Sequence, residues 1–371
     1  MKTKAAVLRE PGSDWEVSEL ELDPPKDREV QIKMVSAGLC HSDEHVRSGG
    51  STVRYPIVGG HEGGGIVEAV GPGVTRVEVG DHIVFSYIPS CGHCRWCATG
   101  YTALCDLGAT ITVGHMLDGT YRFHDGSEDV GALCLVGSFA ERTVVPETSV
   151  VKISKEYPLD VAGLVSCGVP TGFGSATKMA DTQPGNTVVV FGTGGVGMNA
   201  IQGAASAGAI NVIACDPVDF KRTVAPDFGA THVAADAAEA IDLAKDLTNG
   251  VGADAAVVTI GVVEPPHIQA AFEAIRKQGT LVLTGTSGST AGNTVQLHGS
   301  TLTLWQKRVQ GTIFGGLNPH ADIPRLLNVY KAGGLKLDEL VTTRYKLDDI
   351  NEGYHDLHEG KNVRGIIDFS L

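Results

Sequence analysis

The sequence predicts a two-domain α/β protein, in which a β-rich domain is followed by a doubly wound parallel sheet. The length of 371 residues exceeds what one hydrophobic core usually serves. Short β-branched runs broken by glycine fill the first part, whereas strand and helix patterns alternate after about residue 170. The 48 glycines indicate many tight turns and close approaches of the backbone to ligands.

In the first part, alternating β-branched residues predict an antiparallel, barrel-like domain. Its clearest strands are expected at Glu29 to Ala37, Ile66 to Val70 and Asp81 to Phe85.

The second domain is placed at residues 170–314, where strands alternate with helices in the manner of a parallel, doubly wound sheet. We predict a helix over Val196 to Ala207 and strands at Asn186 to Phe191, Asn211 to Cys215, Asp254 to Ile260, Thr280 to Leu283 and Val309 to Phe314. A helix near Ile323 to Ala332 and a strand near Gly365 to Phe369 are expected to return to the first domain. That domain would then comprise residues 1–169 and 315–371.

Composition narrows the class of protein further. The net charge of −14 argues against nucleic acid or an anionic membrane as a partner. No signal peptide and no apolar stretch long enough to cross a bilayer is visible, so a cytoplasmic location is expected. In such a chain the eight cysteines are better interpreted as metal ligands than as partners in disulfides.

The first concentration of chemistry is Cys40-His41-Ser42-Asp43-Glu44-His45, followed by Gly60-His61-Glu62. Thiolate and imidazole are preferred zinc ligands, and a catalytic zinc site has three protein ligands and one open position. Cys167 is the candidate third ligand. Taken singly, Cys40, His61 and Cys167 would each more often be buried structural residues, but together they fit one site. Asp43 is expected either to orient the His61 ring or to cap a helix.

A second concentration is Cys91, Cys94, Cys97 and Cys105 in one glycine-containing loop. Four thiolates close a tetrahedral shell and leave no position for substrate, which defines a structural zinc site. An iron–sulfur cluster and free surface thiols are the alternatives, and zinc is favoured. His93 lies among the four thiols and is interpreted as a bystander.

The glycines Gly192, Gly194, Gly195 and Gly197 stand between a predicted strand and a predicted helix, and Asp216 follows about twenty residues later. This context predicts a Rossmann site that holds a pyrophosphate at a helix N-terminus. The Asp216 carboxylate would accept hydrogen bonds from the adenosine ribose hydroxyls and would repel a 2′-phosphate, so NAD is favoured over NADP. Lys221 is expected either at the ribose rim or as a solvated helix lysine.

In this order, the motifs resemble those of the zinc-dependent medium-chain alcohol dehydrogenases over essentially the whole chain. The resemblance implies a GroES-like catalytic domain beside the Rossmann domain, two zinc ions per chain and NAD. It implies that Cys40, His61 and Cys167 hold the catalytic zinc, with Glu62 as an alternating fourth ligand. Ser42 would take the alcohol proton and His45 would pass it to solvent. The implied cofactor contacts are His41 and Arg364 at the pyrophosphate, Thr171 and Val196 near the nicotinamide, and Thr284 and Phe314 at its carboxamide.

Three segments, Gly59 to Gly63, Asp118 to Thr120 and Leu340 to Tyr345, are similar to actinobacterial alcohol dehydrogenases that depend on the artificial acceptor nitrosodimethylaniline. These enzymes are associated with mycofactocin, and they hold NAD tightly while a second redox carrier recycles it. The glutathione-dependent formaldehyde dehydrogenases are an alternative, but they carry an arginine where this chain has Ala109. A non-catalytic NAD-binding protein is a further alternative, which the full ligand set opposes.

Two further expectations concern the substrate and the assembly. Tyr87 matches an aromatic position of the family's substrate pocket, although it would serve equally as a core aromatic. The apolar segment Val309 to Phe314 would pair across a two-fold axis and make a homo-oligomer.

Overall fold

A computed structural model describes residues 1–285 and 294–371, and within them the chain forms two compact units. Unit 1 comprises Met1–Cys167, Asn318–Ala332 and Leu337–Leu371, and unit 2 comprises Gly168–Leu317 and Gly333–Lys336. The first unit is therefore discontinuous in sequence. In the described residues, no helix is both long and apolar enough to cross a bilayer.

The strands are β1 Lys2–Leu8, β2 Glu16–Leu22, β3 Glu29–Gly38, β4 Ile57–Val58, β5 Gly63–Val70, β6 His82–Phe85, β7 Phe123–Asp125, β8 Glu128–Ala132, β9 Arg142–Pro146, β10 Val150–Ile153, β11 Thr187–Phe191, β12 Asn211–Cys215, β13 His232–Ala234, β14 Ala253–Val258, β15 Ile275–Leu283, β16 Arg308–Gly311, β17 Val341–Tyr345 and β18 Arg364–Asp368. The α-helices are α1 His41–Arg47, α2 Arg95–Ala98, α3 Leu159–Ala162, α4 Gly168–Gly174, α5 Gly195–Ser206, α6 Asp219–Val224, α7 Ala237–Leu247, α8 Pro265–Ala274, α9 Gly299–Leu304, α10 Pro319–Lys331 and α11 Ile350–His358.

Unit 1 is built from two sheets. β1, β2, β7, β8 and β4 close into a barrel, and β10, β6, β5, β3, β18 and β17 follow one another in a second sheet, with β9 also paired to β3. The strand β3 is central because β5 lies along one side of it and β18 pairs with its end. This arrangement places the end of β3 beside the starts of β5 and β18.

Unit 2 contains one six-stranded sheet with the order β13-β12-β11-β14-β15-β16. Every neighbouring pair is parallel. The central strand β11 is buried at every residue, as its run of valines predicts. The order reverses beside β11, which is where a doubly wound sheet binds its ligand. The predicted fold class is confirmed.

One predicted strand is wrong at its end. The segment Val309 to Phe314 was expected to be extended throughout, but β16 ends at Gly311 and Phe314 lies in a 3₁₀ turn. Phe314, Gly315 and Gly316 all have positive φ, at 54°, 61° and 68°. Consecutive left-handed residues cannot continue a strand, and two of the three are glycines, which adopt this conformation without steric cost.

Candidate active site

Four buried side chains come together in unit 1. One ligand atom from each of Cys40, His61, Glu62 and Cys167 lies within 4.8 Å of the others. They provide two sulfurs, an imidazole nitrogen and a carboxylate oxygen, and zinc binds donors of these three kinds. The set therefore fits a zinc ion.

Strand register explains how distant segments meet here. Ala37 near the end of β3 pairs with Gly63 at the start of β5, so Cys40 after one strand lies beside His61 and Glu62 before the other. The amide of Gly38 donates to the carbonyl of Glu62 at 3.2 Å. The pairing of β3 with β5 thus fixes the segment of Cys40 to the segment of His61 and Glu62.

Two serines hold the segment that carries His61. The Ser138 hydroxyl donates to the Glu62 carbonyl at 2.9 Å, and the Gly63 amide donates to the Ser166 hydroxyl at 2.9 Å. Ser166 also immediately precedes Cys167, so the segments that carry three of the four side chains are connected by hydrogen bonds. Neither serine was predicted, because no local pattern distinguishes them.

Asp43 lies on helix α1 and faces the His61 ring. The His61 Nδ1 atom is 3.3 Å from Oδ1 of Asp43, which also accepts the Gly60 amide at 2.9 Å. Asp43 is fully buried. Of the two roles predicted for Asp43, orientation of the imidazole is the one that these contacts support, because the contact leaves Nε2 as the nitrogen for a metal.

The Glu62 carboxylate forms an ion pair with the Arg364 guanidinium, and both are buried. Arg364 reaches this position because β18 pairs with the end of β3, where the Leu39 amide donates to the Gly365 carbonyl at 3.0 Å. A Cβ atom at Gly38 would collide with both charged groups. Glycine at position 38 is therefore required for this ion pair, a role that the sequence did not reveal.

The pKa values in the cluster show how strongly its groups interact. Hydrogen bonding with Cys167 lowers the pKa of Cys40 well below its usual value, and the same contact raises the pKa of Cys167. Burial lowers the pKa of His61, but the nearby charges of Asp43 and Cys40 outweigh it and raise that pKa. Burial also raises the pKa of Glu62. Acidic groups outnumber basic ones here, so a divalent cation would relieve their mutual repulsion.

The residues expected to carry the proton lie on α1. Ser42 is exposed, and its hydroxyl oxygen is 3.6 Å from the Cys40 sulfur. His45 is partly buried one helical turn later, on the same face as Ser42. His41 is exposed, and its ring lies 6.2 Å from that of His358. Tyr87 contacts His61 edge-on, with ring centroids 5.5 Å apart.

The second cluster is the four-cysteine loop, defined by Cys91, Cys94, Cys97 and Cys105. The sulfurs of Cys91 and Cys97 lie 3.9 Å apart, as do those of Cys94 and Cys105. A tetrahedron with Zn–S bonds of about 2.3 Å has edges of about 3.8 Å, so the spacing fits zinc. All eight cysteines of the chain are free thiols. His93 is exposed, and its Nδ1 atom lies 3.1 Å from the Cys91 carbonyl.

Backbone amides of this loop donate hydrogen bonds to its cysteine sulfurs and so favour the thiolate form. The amides of Cys91, Cys94 and Cys97 donate to sulfurs of the same loop at 3.3 to 3.5 Å. The amide of Cys97 is the main cause that lowers the pKa of Cys94 to about 6, whereas burial raises the pKa of Cys97 to about 12. Hydrogen bonds of this kind stabilise negative sulfur before a cation arrives.

The glycine motif of unit 2 joins β11 to α5, as the sequence predicted. Gly192 has a φ of 85°, and a Cβ at Gly197 would collide with the Gly192 carbonyl, so both positions require glycine. Asp216 follows β12. Its two oxygens accept the amides of Thr193 at 2.7 Å and Val218 at 2.9 Å. The carboxylate thus lies beside the glycine motif.

Apart from His41 and Arg364, the remaining residues predicted to bind the cofactor lie in unit 2. Gly194 caps α5, which begins with Gly195 and Val196, and Thr171 lies in α4. Thr284 follows β15, and its hydroxyl is 2.9 Å from that of Ser175. Lys221 lies in the last turn of α6. Arg364, predicted at the pyrophosphate, belongs to unit 1 and is paired there with Glu62.

Two family models match the chain. The alcohol dehydrogenase GroES-like domain matches residues 26–155, and the zinc-binding dehydrogenase model matches residues 195–332. The chain therefore belongs to the family of zinc-binding alcohol dehydrogenases. The class of oxidoreductase expected from the sequence is confirmed.

Individual relatives place it within that family. It is 54% identical over 367 residues to an NDMA-dependent alcohol dehydrogenase of Amycolatopsis methanolica, covering 99% of each chain. It is 47% identical to alcohol dehydrogenase B of Mycobacterium tuberculosis, covering 100% of this chain and 99% of the relative. The crystal structure of benzyl alcohol dehydrogenase from Acinetobacter calcoaceticus has a TM-score of 0.92 and 32% identity, with 99% of each chain covered. The predicted resemblance to the NDMA-dependent enzymes is confirmed.

Proposed function

We propose that this protein interconverts a primary alcohol and its aldehyde, with a nicotinamide cofactor as the hydride carrier. The observation that carries the proposal is the buried cluster of Cys40, His61, Glu62 and Cys167, whose donor atoms lie within 4.8 Å of one another. A zinc ion held by Cys40, His61 and Cys167 would supply the Lewis acidity that makes an alcohol oxygen easier to deprotonate.

The protein's own groups would prepare and complete this chemistry. Asp43 orients the His61 ring, and Arg364 holds the Glu62 carboxylate until it serves as an alternating fourth ligand. Ser42, adjacent to Cys40, would accept the alcohol proton, and His45 would pass it to solvent. Tyr87, edge-on to His61, would contact the alcohol and select among substrates.

The first test is metal analysis of the purified protein together with kinetics. Two zinc ions per chain are expected, one at the buried cluster and one at the four-cysteine loop. One zinc or none would contradict the proposed enzyme and favour a non-catalytic NAD-binding protein. Primary alcohols of rising length, with benzyl alcohol included, would then define the substrate, because a benzyl alcohol dehydrogenase shares the fold.

NAD is the proposed cofactor. The Gly192 to Gly197 motif with His41 and Arg364 would hold the pyrophosphate, and Asp216, with Lys221 at the rim, would bind the adenosine ribose. Thr171, Val196, Thr284 and Phe314 would surround the nicotinamide. An Asp216→Asn variant should bind NAD more weakly than the wild type, and its preference for NAD over NADP should be smaller. The Asp219→Asn variant, whose side chain is exposed, is the matched control and should change neither.

We propose further that NAD stays bound and is recycled in place by a second redox carrier such as mycofactocin. The identity to an NDMA-dependent alcohol dehydrogenase supports this. The test is to denature the purified protein and assay the released nicotinamide. About one nicotinamide per chain, with turnover only when an artificial acceptor is present, is the expected result. A protein that purifies without nicotinamide and turns over with added NAD would contradict retention.

A glutathione-dependent formaldehyde dehydrogenase is the rival within the family. Ala109, exposed beyond Cys105, offers no guanidinium for a glutathione carboxylate. The hydroxymethyl adduct of glutathione should therefore be a poor substrate, and efficient turnover of it would reverse this assignment.

The organisation of the protein completes the proposal. Residues 1–169 and 315–371 would form the GroES-like catalytic domain, and residues 170–314 the NAD-binding domain. β16 is an edge strand of its sheet, and an exposed edge can pair with that of a second copy, so we propose a cytoplasmic homo-oligomer. Sedimentation of the purified protein would show its assembly state.

A further inference from the structure

Ser175 is a serine of unit 2 that the mechanism above does not use. It is fully buried, and it lies where helix α4 continues as a single π turn, Ser175–Met179. Single π turns inside helices are rare and are found frequently at functional sites. A hydroxyl buried at such a position also needs hydrogen-bond partners, and those partners indicate what it does.

Two oxygen atoms lie within hydrogen-bond distance of the Ser175 hydroxyl. Its Oγ atom is 2.6 Å from the carbonyl oxygen of Thr171, four residues earlier, and 2.9 Å from Oγ1 of Thr284. A carbonyl oxygen can only accept a hydrogen bond, so the single hydroxyl proton of Ser175 is donated to Thr171. The hydrogen bond between the two hydroxyls is then donated by Thr284.

The direction of these hydrogen bonds determines what Thr284 can offer to a ligand. Its one hydroxyl proton is donated to Ser175, so its hydroxyl oxygen can only accept from a further group. Its backbone amide is also paired, because it donates to the carbonyl of Val258, at the end of β14, at 3.0 Å. Thr284 therefore presents only hydrogen-bond acceptors.

Thr284 lies at the edge of the sheet where a doubly wound fold binds its ligand. It follows β15, and ligands bind outside the carboxyl ends of such strands. Helix α4 is in close backbone contact with two other segments of unit 2. A Cβ atom at Gly172 would collide with the Val196 carbonyl, and a Cβ atom at Gly315 would collide with the Thr171 carbonyl. The segments proposed to surround the nicotinamide thus pack around α4.

The polar groups of this network fit a carboxamide. Thr171 accepts the Ser175 proton through its carbonyl, and its own hydroxyl oxygen is buried without a partner among the described residues. Buried hydroxyls are nearly always paired, so this hydroxyl fits a polar group of a ligand. A carboxamide carries an NH2 group that can donate to Thr284 and an oxygen that can accept from a hydroxyl.

We propose that Ser175 is a positioning residue for the nicotinamide: by accepting the Thr284 proton, it leaves the Thr284 oxygen to accept a hydrogen bond from the carboxamide NH2. Ser175 acts through Thr284 and not on the cofactor itself. The direction of one hydroxyl proton would then make the site prefer a pyridine ring that carries an amide to one that carries only a carbonyl. The inference rests on the proposed function, since it assumes that unit 2 binds NAD.

The test uses acetylpyridine adenine dinucleotide, in which a methyl group replaces the NH2 group of NAD while the carbonyl is kept. The protein is incubated with equal concentrations of NAD and this analogue until the bound ratio is constant, and the bound dinucleotides are quantified after denaturation. We expect the ratio of bound NAD to bound analogue to fall about tenfold in Ser175→Ala. Without Ser175, the Thr284 proton can turn towards the carbonyl, which both dinucleotides carry.

Thr177→Ala is the matched control. Thr177 lies in the same π turn and donates to the Phe173 carbonyl, also four residues earlier, at 2.8 Å, but in the described part of the chain it is joined to no second hydroxyl. This variant should keep the wild-type ratio. Thr284→Val removes the acceptor itself and should lower the ratio as Ser175→Ala does. Because Ser175 acts through Thr284, the double variant should lower the ratio no further.

Three outcomes would contradict these expectations. A wild-type ratio in Ser175→Ala, or equal losses in Ser175→Ala and Thr177→Ala, would overturn the positioning role and leave the proposed function intact. Effects of Ser175→Ala and Thr284→Val that add in the double variant would do the same, because each residue would then act independently. If the wild type binds neither dinucleotide, the proposed function itself is overturned.

Discussion

The two cysteine-containing clusters are built in opposite ways. The buried cluster draws Cys40, His61, Glu62 and Cys167 from separate segments and surrounds them with charged partners. The four-cysteine loop takes all its thiols from residues 91–105, is largely half-exposed, and relies on its own backbone amides. Mixed donors within a charged, buried network suit reaction chemistry, whereas four equal thiols in one short loop suit a closed structural site.

The largest expected effect comes from Cys40→Ala. Loss of a ligand should remove the buried zinc and with it several kcal/mol of transition-state stabilisation, so kcat/KM should fall by about 10³-fold or more. Steady-state kinetics and zinc analysis check this, with one zinc per chain expected to remain. Cys215→Ala, which removes a buried thiol outside both clusters, is the control and should keep both zinc ions.

Cys94→Ala should act on stability instead. Loss of the loop zinc is expected to cost about 3–5 kcal/mol and to lower Tm by on the order of 10 °C, because the loop loses its cross-link. Calorimetry measures the shift, and activity per folded molecule at low temperature should remain. If Cys40→Ala and Cys94→Ala destabilise the fold equally, the division of roles between the clusters is wrong.

Gly38→Ala should have an intermediate effect. It tests the contribution of the Glu62–Arg364 ion pair separately from that of the proposed zinc ligands. The new methyl group would collide with Glu62 and Arg364, so their ion pair must shift. We expect kcat/KM to fall about tenfold, or about 1.4 kcal/mol, with both zinc ions retained. Gly299→Ala, where a methyl group meets no neighbour, is the control. Wild-type kinetics in Gly38→Ala would show that the ion pair does not matter to the reaction.

The smallest effect is expected for His93→Ala. His93 is exposed within the four-cysteine loop, and its Nδ1 atom lies 3.1 Å from the Cys91 backbone carbonyl. Zinc content should stay at two, and the free energy of unfolding should change by less than about 0.5 kcal/mol. A loss of zinc would mean that His93 replaces one of the four thiols as a ligand.

Local patterns predicted much of this molecule. The sequence places Cys91, Cys94, Cys97 and Cys105 in one loop and the Gly192 to Gly197 motif between a strand and a helix. Both features could be predicted because each signal is contained in one short segment. The length of the strand that ends at Gly311 was overestimated, because the residues up to Phe314 do not reveal the left-handed turn that follows the strand.

What the sequence did not reveal depends on register between distant strands. The pairing of Glu62 with Arg364 joins residues 302 positions apart, and the need for glycine at position 38 follows only from that pairing. Ser138 and Ser166 act through single hydrogen bonds to backbone atoms near His61. Contacts of this kind leave no periodic signal, so they become visible only when the sheets of unit 1 are assembled.

The way each cluster is distributed along the chain also sets an order of events during synthesis. The four-cysteine loop has all its thiols once residue 105 has left the ribosome. The proposed zinc would therefore have its complete ligand set while the chain is still growing. The buried cluster must wait for Cys167, and its ion pair must wait for β18 near the end of the chain. Because long-range contacts form late and N-terminal segments fold first, the two metals would be acquired at different stages of biogenesis.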